Sequence, residues 1–159
     1  MSDRRRPGWD EYFMTMAVVA STRGTCDRRY VGCVIVTPDN QVVATGYNGS
    51  APGAPHCIDE DVGHLMHEGH CVRTIHAEQN AIAQAAKHGK STRGCKIYVT
   101  THPCPTCLLI LAASGIHHII HLEQYHAEDD SVSAILARDA GIRIEEYQGA
   151  RLWDQPIER

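Results

Sequence analysis

The chain has 159 residues, 43% of them hydrophobic and 21% charged, with a formal net charge of -4. That size suits one compact domain that buries its core without disulfides, and the acidic balance excludes a general polyanion binder, so an anionic ligand has to be met by a local cluster of donors. Residues 1–6 are basic, but no apolar run follows that would make a signal peptide, and no stretch approaches a membrane span; the expected compartment is the cytoplasm.

Residues 9–22 carry Trp9, Phe13, Met16, Ala17 and Ala20 at helical intervals and predict an amphipathic helix. A polar connector at 25–29 leads to two β-rich runs, 31–37 and 41–46, separated by Pro38-Asp39-Asn40, which predicts a hairpin. Residues 47–74 are rich in Gly, Pro, His and Asp and show little periodicity; a loop this long in a small domain is functional or held by something. Helical spacing returns over 76–88 and stops at Gly89. Then follow a strand at 95–101, a helix at 103–114 with Pro in its first turn and Gly115 at its end, and a strand at 116–122. A helix at 129–140 closed by Gly141 and a strand at 142–147 complete the chain. The order α-β-β-α-β-α-β-α-β predicts an α/β fold of three α-β-α layers, a mixed five-stranded sheet with helices on both faces. With no repeat, low-complexity tract or linker, residues 1–159 read as one domain, its core at about 9–147 and an insertion loop at 49–75.

The chemistry gathers at two predicted helix starts. His76-Ala77-Glu78 opens one helix and Pro103-Cys104-Pro105-Thr106-Cys107 opens the next, giving H-x-E, 24 intervening residues, then P-C-x-x-C. One imidazole and two thiolates supply three zinc ligands and leave a fourth tetrahedral position open, as a catalytic zinc requires. Cys104 and Cys107 lie one turn apart, and the helix N-terminus favours their thiolate forms. Glu78 is read as the proton shuttle rather than a fourth ligand, because this signature is that of zinc nucleobase deaminases. A lone C-x-x-C reads equally as a redox pair or half of a structural zinc site, and a lone H-x-E says little; the combination at two helix heads selects the catalytic reading.

With these residues the chain resembles the cytidine deaminase superfamily, and within it the deoxycytidylate (dCMP) deaminases, the bacterial competence-associated group in particular. Beyond the zinc motif the resemblance rests on Ser21-Thr22 with Cys26, Val31-Gly32, Gly46-Tyr47-Asn48-Gly49-Ser50 and His56-Cys57. It continues through His70-Cys71-Val72-Arg73-Thr74-Ile75, on to Ile82, and at Ile97-Tyr98-Val99-Thr100. It implies hydrolysis of dCMP to dUMP and ammonia in pyrimidine deoxynucleotide metabolism, by a hydrolase acting on a cyclic amidine. It also implies a homo-oligomer, a hexamer, with dCTP and dTTP as allosteric effectors and Mg2+ accompanying the nucleotide. The alanine-rich stretch 81–86, ending at Lys87 and His88, suits either a subunit contact or packing on the sheet.

Under that resemblance Asn48 enters the substrate pocket, its amide able to donate and accept, although Asn48-Gly49 is also a turn dipeptide. Ser50 and Arg28 or Arg29 are candidates for the 5′-phosphate, because a dianion needs charge-assisted donors in an acidic protein. Tyr125 is the candidate aromatic face over base or sugar. Some dCMP deaminases carry a second, structural zinc, and Cys26 and Cys57 match its cysteine positions. His70 with Cys71 would complete four ligands, with His64 or His67 as substitutes, since His64, His67 and His70 recur every third residue. Cys33 and Cys95 read as core.

Three other functions meet part of the pattern. A tRNA adenosine deaminase shares the zinc motif, but such an editor needs a basic surface, and this chain has three lysines and an acidic balance. A free nucleoside or cytosine deaminase would differ in lacking a phosphate site. A non-catalytic zinc module, structural or serving a DNA-uptake partner, has no use for Glu78 beside an open metal position. The expected partner is a small nucleotide, with neither membrane nor nucleic acid.

Overall fold

The computed structural model describes residues 5–124 and 130–154. Helix α1 (Trp9–Ser21) precedes strands β1 (Gly32–Val36) and β2 (Val42–Tyr47), and helix α2 (Ala77–Lys87) precedes β3 (Lys96–Thr101). Helix α3 (Pro105–Ala113), β4 (His118–Glu123), α4 (Asp130–Asp139), β5 (Arg143–Glu146) and a 3-10 turn at Leu152–Asp154 follow. Among the described residues no helix is long and apolar enough to cross a membrane.

The sheet runs β2-β1-β3-β4-β5. Strand β1 is antiparallel to both neighbours, with Cys33 opposite Gly46 and Val99, whereas β3, β4 and β5 are mutually parallel. The mixed sheet follows from the connections: Pro38-Asp39-Asn40 turns a hairpin, with Asn40 at φ 64°, while α3 and α4 are crossovers that return the chain in the same direction. Alternation along the buried strands assigns each face its helices. On one face Val34, Val36 and Tyr98 receive Phe13, Met14 and Ala17 of α1. On the other, Cys33, Ile35, Ile97 and Val99 receive Ala77, Ala81 and Ala85 of α2, Leu108 and Leu111 of α3, and Ala137 of α4. The alanines of α2 thus face the sheet at 81 and 85, while Ala83 and Ala86 are exposed. Cys33 and Cys95 are both buried in this core, as expected.

Two glycines permit the helices to sit this close. A Cβ on Gly32 would lie 2.1 Å from the Ala17 carbonyl oxygen, and one on Gly46 would lie 2.1 Å from the Ala77 carbonyl oxygen and 2.7 Å from the Ala81 nitrogen. Both obstructions are backbone, so neither can swing aside. Gly46 therefore sets the height of the first turn of α2 above β2. Gly46→Ala is expected to lower stability by about 1–3 kcal/mol and to cost zinc content at the same time; a thermal melt and metal assay at wild-type values would contradict this.

The long segment between β2 and α2 contains two short ladders. Gly49–Ser50 pairs with Thr74–Ile75, and Met66–His67 pairs with His70–Cys71. The second is a two-residue hairpin whose central residues, Glu68 and Gly69, both have positive φ (46° and 78°), the requirement of a turn that matches strand twist.

Candidate active site

His76 and Cys104 are the N-cap residues of α2 and α3, both with extended backbone (ψ 154° and 163°) that turns the side chain away from the helix it precedes. Cys107 sits one turn into α3, fully buried. The two caps face each other: His76 Nδ1 lies 3.6 Å from Cys104 Sγ and 3.5 Å from Cys107 Sγ. A tetrahedral zinc with ordinary Zn–N and Zn–S bonds separates such donors by about 3.6 Å. All three donor atoms lie within 4.8 Å of one another, so they fit one ion. Gln79 Oε1 accepts the His76 backbone N–H (3.2 Å), and Asn80 Nδ2 donates to the Tyr47 carbonyl (2.7 Å), tying the start of α2 to the end of β2.

Glu78 projects from the first turn of α2 and is buried. Burial raises its carboxyl above the usual range and the Cys104 charge adds to this, against the pull of a backbone N–H and of His76. A hydrogen bond from Cys107 is the main reason Cys104 is drawn down to about 4, with His76 assisting, and Cys107 rises as the donor of that bond. The hydrogen bond to Cys104 also raises His76. A zinc ion held here would displace the thiol protons, the usual exchange when thiolates take up metal.

Residues 7–123 match the family model of the cytidine and deoxycytidylate deaminase zinc-binding region. The chain belongs to the cytidine and deoxycytidylate deaminase family. Its α/β three-layer fold is the one expected. It is 41% identical over 143 residues to ComE operon protein 2 of Bacillus subtilis, an alignment covering 90% of this chain and 73% of that protein. It is 34% identical over 155 residues to the deoxycytidylate deaminase of Saccharomyces cerevisiae, over 92% of this chain and 47% of the yeast enzyme, so it spans about half the length of that relative. The crystal structure of dCMP deaminase from the cyanophage S-TIM5 in complex with dCMP and dUMP superposes with a TM-score of 0.74 at 26% identity, over 91% of this chain and 100% of that chain.

A second donor cluster lies in the insertion. Cys26, Cys57 and His64 bring their donor atoms within 4.8 Å of one another, and Cys71 Sγ lies 3.6 Å from Cys57 Sγ. Burial and then Cys71 push the Cys57 thiol up to about 12. Burial acts on Cys71 in the same sense, but the backbone N–H groups of Arg73 and Leu65, the Thr74 hydroxyl and Cys57 outweigh it and bring Cys71 to about 7. His70 is exposed and does not join the cluster. It precedes Cys71 on a strand, where successive side chains point to opposite faces, so the pair cannot close on one ion; His67, its cross-strand partner, shares its face. The histidine brought in is His64, which lies outside the hairpin.

The candidate substrate residues divide. Asn48 clamps the approach to β1: its Oδ1 accepts the Val31 N–H (2.8 Å) and its Nδ2 donates to the Arg29 carbonyl (2.7 Å). One lone pair and one N–H of that amide remain for a ligand. Arg29 pairs with Glu123 at the end of β4 (3.2 Å), while Arg28 turns to the hairpin, its Nη1 3.7 Å from Met66 Sδ. Ser50 Oγ is buried with no hydrogen-bond partner among the described residues, and Ser50 lines a cleft of about 320 Å³ with Gly46, Tyr47, Asn80 and Gln84. Tyr125 lies outside the described residues. Sequence reasoning did not single out Asn80, Glu123 or Asp27, whose Oδ1 is 2.8 Å from His64 Nε2; nothing local to them signals a role, since each acts across a long sequence separation.

Proposed function

We propose that this protein is a zinc-dependent dCMP deaminase, a hydrolase that converts dCMP and water to dUMP and ammonia. The observation that carries the reading is the triangle of His76, Cys104 and Cys107 with Glu78 buried beside it, in a chain of the deaminase family. Zinc held by that triangle supplies the positive charge that acidifies a water molecule at neutral pH.

Glu78 does the proton work. Its raised affinity for protons suits a group that must both take and give one near pH 7. It accepts a proton from the attacking water, so that a C–O bond forms at the amine-bearing carbon. It then protonates the adjacent ring nitrogen, and carries the remaining proton of the new hydroxyl to the exocyclic amine, so that the carbonyl forms as the C–N bond breaks and ammonia leaves. Atoms balance with one water consumed. The two helix N-termini meeting at the site favour the negative charges that gather there.

For the substrate, Asn48 addresses the sugar or base edge, and Arg29, Arg28 and Ser50 are the phosphate candidates. Arg29 is the best placed of the arginines, because Glu123 holds it at the end of β4, beside the loop that carries His102 and Cys104: the His102 N–H donates to the Glu123 carbonyl (2.8 Å). Each charge-assisted hydrogen bond to phosphate is worth about 1.5–3 kcal/mol, so kcat/KM for dCMP is expected to exceed that for deoxycytidine by at least about tenfold. Equal turnover of the two would overturn the nucleotide assignment.

The Cys26, Cys57, Cys71 and His64 cluster is read as a structural zinc site that pins the insertion; the 3.6 Å sulfur separation suits a shared tetrahedral ion. Such thiolate sites need a reducing compartment, which supports a cytoplasmic enzyme. The chain is read as one deaminase domain that assembles as a homo-oligomer, a hexamer by resemblance. Exposed apolar side chains along α1 (Trp9, Tyr12, Val19) support assembly. dCTP and dTTP, with Mg2+, are the effectors in this reading.

A further inference from the structure

The histidine of the insertion cluster is not held by its neighbours in sequence. His64 Nε2 lies 2.8 Å from Oδ1 of Asp27, a residue 37 positions earlier in the chain. Asp27 directly follows Cys26, so its carboxylate travels with a segment that already supplies a sulfur donor to the same cluster. The His64 side chain is 30% exposed and Asp27 is 60% exposed, so the contact is not forced by core packing. An imidazole has two nitrogens, and the one engaged by a carboxylate is committed to donating its proton. Metal-bound histidines typically show this arrangement, with the far N–H given to a carboxylate that fixes tautomer and ring orientation.

We propose that Asp27 is the positioning residue of the insertion metal site: by accepting the Nε2 proton of His64 it presents Nδ1 as the fourth donor beside Cys26, Cys57 and Cys71. This rests on the two-zinc reading given above. The same carboxylate explains why His64 serves although it sits outside the ordered hairpin, where His67 and His70 face away. Cys71 receives N–H groups from Arg73 and Leu65 and the Thr74 hydroxyl, whereas the polar partner of His64 among the described residues is Asp27. The segment so fixed leads through Thr74–Ile75, paired with Gly49–Ser50, straight into His76, so metal at the insertion orders the approach to the catalytic triangle.

The test is zinc release from the purified, fully loaded enzyme into a chromogenic chelator, with total zinc per chain measured beforehand. Wild type is expected to hold two zinc ions per chain and to release them in two phases. Asp27→Ala is expected to weaken binding in the insertion phase by about 10–100-fold while the phase assigned to the catalytic triangle keeps its rate. Asp27→Asn, whose amide oxygen still accepts the Nε2 proton, is expected to recover much of the loss, which an ion pair acting only through charge would not. His64→Ala should remove the insertion phase. One zinc per chain in wild type would overturn the two-zinc reading itself. Two zinc ions with unchanged release from Asp27→Ala would leave that reading standing and overturn the role of Asp27, as would an insertion phase that survives His64→Ala.

Discussion

Glu78→Gln is expected to lower kcat by at least about 10²–10⁴-fold, the usual contribution of a positioned general acid–base, while zinc content stays at the wild-type value. The side chain is buried and the amide is nearly isosteric, so packing against α2 survives the change. What is lost is a titratable oxygen next to the donors of the triangle. The Cys107 thiol bonds to the Glu78 carboxyl and His76 lies within its field, so this carboxyl is in direct contact with the donor set. KM should change far less than kcat, because the proton transfers belong to the chemical step rather than to binding. The experiment needs steady-state kinetics and a metal assay on the same preparation. Substantial turnover in the zinc-loaded variant would remove Glu78 from the mechanism.

Cys107→Ser is expected to abolish turnover and lower Tm together. Cys107 is fully buried at the inner corner of the triangle, where a serine hydroxyl is too short and too weakly acidic to replace a thiolate. Zinc held at a thousand times its Kd contributes about 4 kcal/mol, and a chain of this size loses about 2–4 °C of Tm per kcal/mol, so the melt should fall by about 8–16 °C. Cys33→Ser, another buried thiol on the same face of the sheet, serves as the control: it should destabilise without removing the catalytic zinc. A Cys107→Ser variant that keeps its catalytic zinc would show that the triangle closes on a different third donor.

The element order and the His76, Cys104, Cys107 triangle were legible because their determinants are local. Pro38-Asp39-Asn40 turns a hairpin wherever it stands between two β-rich runs. An H-x-E and a P-C-x-x-C each at the head of a helix aim their side chains by cap geometry alone, and both helices begin within two residues of the expected position. The insertion was less legible. Met66-His67-Glu68-Gly69-His70-Cys71 carries a hairpin signal in its Glu-Gly centre, and the period of two would have set His70 against Cys71; read as irregular loop, the same residues suggest that adjacent donors can converge.

By itself the sequence determined the α/β order and the meeting of His76, Cys104 and Cys107 at two helix starts, since spacing along a helix or strand dictates where such side chains point. Only the tertiary structure decided that His64 rather than His70 joins Cys26 and Cys57, that Asp27 stands behind it, and that Asn48 spends two hydrogen bonds on the β1 approach. It also decided that Gly46 is where α2 meets the sheet. The Asn48 contacts span 17 and 19 positions and the Asp27–His64 contact 37, and no local periodicity encodes a distance of that kind; it is set by how the layers pack.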